Sequence, residues 1–195
     1  MNLDAQLNKV IGQSTTEVIK TLAWQYKRRK DQLDTLSYQD KATLMLLTNN
    51  AFKPLQRQTQ FMDNATAKKE HNIDLDNFND TFDFFRRRHL VISSDNNNSP
   101  LFPNLLNLKF RAWHDYIHFT NGFPFDFVGE FLTWEKHCEG VSNETVKKIL
   151  FSEIVLQACY YLTFGVFPDV QKVVLLEDEY VNLATELVYF NSPKN

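Results

Sequence analysis

Ile149-Leu-Phe-Ser-Glu-Ile-Val-Leu-Gln-Ala-Cys-Tyr-Tyr-Leu162 is apolar on nearly every side when wound as a helix. Such a helix belongs at the buried centre of a bundle, because no face of it suits water. Two polar residues interrupt it, Glu153 and Gln157, one turn apart on one face. A carboxylate removed from water without a partner is strongly disfavoured, so Glu153 must pair, keep its proton or bind a cation.

The helix around this stretch is expected over 143–164, with a cap at Ser142 and Gly165 as its C-terminal stop. Before it, residues 125–134 are mostly aromatic and apolar, with Glu130 among them. They predict a short helix entered near Asp126 or Phe127 and ending near His137. Residues 104–119 predict another, with Leu106, Phe110, Trp113 and Ile117 as its apolar stripe. Asn107, Arg111, His114 and His118 form the adjacent stripe, so both histidines point one way at the edge of the core. Gly122 and Pro124 end that helix.

Further outward, Ser14 and Glu17 have capping-box spacing and open a helix expected to reach about Leu36. It carries the densest basic run, Lys27, Arg28, Arg29 and Lys30, which reads as a solvated face or a contact for phosphate. Ser37 to Asp40 start a second helix that Pro54 must end. A polar helix and loop are expected over 55–72, and a helix over 74–89 with Leu75, Phe78, Phe82 and Phe85 on one face. The aspartates at its start lack the glycine and terminal glutamate of a calcium loop. Residues 90–93 read as a short strand. The Asn-rich loop 94–103 divides an N-terminal half, 1–93, from a C-terminal half, 104–195. A last helix is expected from Asp169 or Val173 to Tyr189, with a fraying tail beyond it. The class is all-α: one irregular helical bundle of 195 residues with at most a minor β component.

Composition narrows the function. The chain is 43% hydrophobic, has 17 Phe and a net charge of −3, so no global field draws it to nucleic acid. Five glycines and no glycine-rich phosphate motif exclude a P-loop or dinucleotide fold. Two cysteines, no leader pattern at Met1 and no apolar run long enough to span a bilayer predict a cytoplasmic protein without membrane contact.

His114 and His118 can ligate one ion from neighbouring turns, and Glu130 and Glu153 are the carboxylates that would join them. That set suits zinc, iron or manganese. Asp115 and Gln157 are candidates to orient the ligands or accept a proton, and Arg111 is the rival charge that could neutralise the carboxylates without metal. Cys138 and Cys159 are further candidate thiolate ligands. The His114–Asp115 pair resembles the His-Asp dyad of an all-α family of metal-dependent phosphohydrolases, with His89 and Asp169 or Asp178 as its outer ligands. A breaker-rich loop stands where that family has continuous helix.

Arg111-Ala-Trp-His-Asp-Tyr-Ile-His118, then Gly129-Glu130, then Leu150-Phe-Ser-Glu-Ile-Val-Leu-Gln157, resembles a pattern in proteins encoded by tailed bacteriophages. The resemblance covers about the C-terminal half. It implies a phage setting, in the host cytoplasm or the virion, and no particular activity. Three functions follow as expectations: a metal-dependent enzyme, most of all a hydrolase; a non-enzymatic virion or host-interaction protein with a protein partner or a second copy; and nucleic-acid binding through the basic run.

Overall fold

The structure, a computed structural model, describes residues 14–87 and 89–190. The expected lead-in before Ser14, Arg88 and the tail after Phe190 lie outside the described residues. The chain runs α1 (Thr15–Arg28), a 3-10 turn (Leu33–Thr35), α2 (Tyr38–Phe52), β1 (Thr59–Met62), α3 (Asn64–His71) and α4 (Phe78–Arg87). It continues through β2 (Leu90–Ser93), α5 (Asn104–Asn121), α6 (Phe127–Cys138) and α7 (Glu144–Phe151). A π turn (Ser152–Leu156) leads into α8 (Gln157–Phe164), and α9 (Asp178–Phe190) ends the fold. The fold is all-α with one small two-stranded sheet.

The apolar stretch around Glu153 is the buried centre, as its composition predicts. Ile149, Leu150, Phe151, Ile154, Val155, Leu156 and Cys159 are all buried, and the helix packs on α1, α2 and α6. Its cap is Asn143, whose Oδ1 accepts from Val146 N, rather than Ser142. The π turn widens the helix by one residue in its middle, and such insertions shift every later side chain round the axis.

Two helix boundaries differ from expectation for one shared reason. α1 stops at Arg28 instead of Leu36, and α9 starts at Asp178 instead of near Asp169 or Val173. The segments freed, 29–32 and 172–177, bond to each other. Gln32 N donates to Val173 O at 2.9 Å, Val173 N to Asp31 Oδ1 at 3.0 Å, and Leu175 N to Gln32 Oε1 at 2.8 Å. Arg29 closes the clasp with two bonds to Glu177. Val173, Val174 and Leu176 are buried there outside any helix or strand. The clasp also engages the π turn, since Val174 N donates to Ser152 Oγ at 2.9 Å.

Leu90–Ser93 is a strand, and Thr59–Met62, expected as helix or loop, is its parallel partner in the register Thr59 to Leu90. All four residues of β2 are buried, so their backbone groups need a ladder. Ser14 stands at the N-cap of α1, but its side chain makes no capping bond; the reciprocal box forms at Ser37 and Asp40. The Asn-rich loop is pinned rather than free, with Arg111 Nη1 donating to Asp95 O and Asn107 to Asn97. Apolar residues from both sides of it share one cluster: Phe52, Leu55, Leu90 and Ile92 with Ala112 and Phe119.

α5 and α6 form the hairpin that builds the site. Gly122 ends α5 at φ 68°, a left-handed turn that suits glycine. Asp126 caps α6 by accepting from Gly129 N at 2.9 Å. Gly129 is required sterically, because a Cβ there would stand 1.8 Å from Pro124 O. The turn can therefore fold tightly over the first turn of α6.

Candidate metal centre

Three side chains converge inside that hairpin. His114 Nε2 lies 3.1 Å from His118 Nε2 and 3.3 Å from Glu130 Oε2, and His118 Nε2 lies 3.5 Å from the same oxygen. α5 sets the histidines one turn apart, and the Asp126 cap starts α6 so that Glu130 falls opposite them. His118 is fully buried, while the side chains of His114 and Glu130 keep 17% and 15% of their exposure, so one side of the cluster reaches solvent.

The second nitrogen of His118 fixes its chemistry. His118 Nδ1 is 2.9 Å from Phe123 O, a carbonyl that can only accept, so Nδ1 carries the proton. In the neutral ring Nε2 then presents a lone pair to the cluster, which is how metal-binding histidines are prepared. The partner carbonyl comes from the very turn that Gly122 and Gly129 permit.

Four ligands at the 2.0–2.1 Å typical of zinc, arranged tetrahedrally, stand roughly 3.3–3.4 Å apart, whereas octahedral ligands at that distance stand about 2.9 Å apart. The separations of 3.1, 3.3 and 3.5 Å bracket the tetrahedral value and are equally those of a hydrogen-bonded His–His–Glu cluster. The three residues fit a divalent ion with a fourth position left for water or another donor.

Charge is balanced locally. Burial works against the ionised form of Glu130, but the facing imidazoles outweigh it and hold the carboxyl down at about 2. Burial likewise opposes a charged His118, yet the bonds to Glu130 and Phe123 raise it above the ordinary histidine range. Asp115, pushed up by burial, feels the charges of His114, His118 and Arg111.

Among the described residues, His114, His118 and Glu130 form the convergent ligand group, and Glu153 is not part of it. Glu153 interacts instead with Tyr26 and Asp31 on the α1 side. Its Oε1 is buried without a partner, as is Gln157 Nε2, so Gln157 orients nothing in the cluster. Burial pushes the Glu153 carboxyl up to about 8, which keeps it protonated at neutral pH. Asp115 does not orient His114, whose Nδ1 is buried and unpartnered. Arg111 serves Asp95 O instead of either carboxylate. Cys138 and Cys159 are free thiols held protonated by burial, Cys138 up to about 12, and neither joins the group.

The outer ligands of the phosphohydrolase resemblance do not assemble either. His89, Asp169 and Asp178 are exposed, and Asp178 pairs with Lys148. The basic run is dispersed. Lys27 lies over Trp24 and Phe164, Arg28 lies over Trp24, Arg29 is bound to Glu177, and Lys30 is exposed. His137 is the residue that sequence reading passes over. It is buried beside His114, and the signal that could have found it is its place seven residues after Glu130 on α6.

The chain matches no family model, no curated protein and no solved structure. The candidate metal centre is supported by geometry and chemistry alone. Among the described residues, no helix is long and apolar enough to cross a membrane.

Proposed function

We propose that the chain is a metal-dependent enzyme, a hydrolase, that holds a divalent ion, zinc foremost, on His114, His118 and Glu130. The observation that carries this reading is a triangle of ligand atoms whose separations bracket the tetrahedral value, one of them aimed by the bond from His118 to Phe123 O. Two imidazoles and a carboxylate leave one net positive charge on a divalent ion. An ion held there would supply Lewis-acid chemistry, activating water near neutral pH and polarising a carbonyl or phosphoryl oxygen. Asp115, whose charge is coupled to both histidines, is the proposed proton acceptor. The partial exposure of His114 and Glu130 supports entry of water and substrate from their side.

The test uses full-length protein purified without a histidine tag. Thermal unfolding with zinc, then with chelator, should show stabilisation that the chelator reverses. Ester and phosphoester hydrolysis should then follow metal content. Equal stability in both conditions would remove the reading.

A second reading is a non-enzymatic bacteriophage protein, in the virion or at a host partner, with the cluster as a buried ion pair. The raised His118 and depressed Glu130 support such a pair in metal-free protein. The exposed apolar group Tyr161, Leu162, Val166, Phe167 and Val170 supports a protein contact. Light scattering on the eluting protein separates the two: a metal-free stable oligomer favours the second, a zinc-loaded monomer the first.

A further inference from the structure

His137 is 1% exposed, and neither of its ring nitrogens has a hydrogen-bond partner. Its ring packs on Trp113 at 3.9 Å, Phe110 at 5.4 Å and His114 at 5.6 Å between centroids. A phenyl ring would fill such a pocket without burying two bare nitrogens, each of which costs free energy when left unpaired. Aromatic packing thus fails to explain why a histidine stands here. Its position does explain it. His137 follows Glu130 by seven residues on α6, about 20° round the axis, so both leave the helix on the same face. It stacks beside His114, though outside the three residues whose ligand atoms already converge, and its two free nitrogens are the donor type that tetrahedral zinc takes.

We propose that His137 is a fourth ligand of the metal centre. Resting on the metal reading above, this closes His114, His118 and Glu130 into a shell of three imidazoles and one carboxylate. The ring planes of His137 and His114 lie 22° apart, so engagement requires His137 to turn out of that stack toward the neighbouring Nε2 atoms. An ion so held would admit water or a substrate oxygen by expanding its coordination or by releasing His137, a change that zinc accommodates. His137 would in this way control when the ion is open to substrate.

The test is X-ray absorption of the zinc-loaded full chain, which counts imidazoles, together with zinc titration of wild type and His137→Phe. The expected result is three imidazoles in wild type and two in the variant, with zinc dissociation weakened at least about 100-fold. Metal-free His137→Phe should be as stable as wild type or more so. Two imidazoles in wild type, with unchanged affinity in the variant, would overturn the role of His137 and leave the three-ligand site standing. Wild type that takes up no zinc would overturn the underlying metal reading as well. The wild-type imidazole count decides the matter even if the variant does not fold.

Discussion

Glu130 and Glu153 are two carboxylates enclosed by the same helical core, and they are in opposite states. Glu130 is held ionised, near 2, because two imidazoles face it across the α5–α6 hairpin. Glu153 is held protonated, near 8, because its neighbours are Gln157, Asp31 and Tyr26 and none of them is a cation. The nearby lysine, Lys172, donates to the backbone carbonyls of Lys27 and Arg29 at the end of α1 instead. Burial in apolar surroundings is common to both. What separates a candidate reactive centre from a neutral plug is what stands opposite.

The comparison can be broken most severely by removing the facing rings. In metal-free protein, the double variant His114→Gln with His118→Gln should turn Glu130 into a second Glu153. Its carboxyl, followed by carbon NMR, should move from about 2 to above the ordinary 4.5. A carboxyl that stays low would mean that the imidazoles do not hold it.

The next effect is steric. Gly129→Ala places a methyl group against Pro124 O and must open the turn that brings Phe123 O to His118. A loss of at least about 2 kcal/mol in chemical denaturation is expected, with weaker metal binding. Unchanged stability would show that the turn does not hold the hairpin.

Glu153→Gln should act in the other direction. A carboxyl raised from 4.5 to about 8 binds more protons folded than unfolded between those values. Wild-type stability should therefore fall as pH rises from about 4.5 to 8, and the variant should lose that slope. At pH 7 it should be more stable by about 1–3 kcal/mol. An unchanged slope would place the titrating group elsewhere. The smallest effect belongs to Asp126→Ala, which removes the cap that sets the start of α6, at a cost of about 1 kcal/mol. Its loss should loosen Glu130 and leave Glu153 untouched.

These two carboxylates also mark how far the sequence could be read. The α5 stripe carrying His114 and His118 was legible from its period of 3.6, the α6 entry from the cap at Asp126, and the central helix from being apolar on nearly every side. Pairing Glu153 with the histidines was not sound. Periodicity gives a face of one helix but not which neighbour that face meets, and the π turn at Ser152–Leu156 breaks the period where Glu153 stands. The clasp of 29–32 with 172–177 was equally hidden, since its bonds join residues more than 140 positions apart, as between Asp31 and Val173. His137 was overlooked because seven-residue spacing from Glu130 is no metal motif by itself.

Zinc stoichiometry of untagged wild type, Glu130→Gln and Glu153→Gln, measured side by side by elemental analysis, tests the central claim most directly. One zinc per chain is expected in wild type and in Glu153→Gln, and clearly less than one in Glu130→Gln, which has lost its carboxylate ligand. Wild type without metal, or zinc lost from Glu153→Gln and retained by Glu130→Gln, would contradict the account.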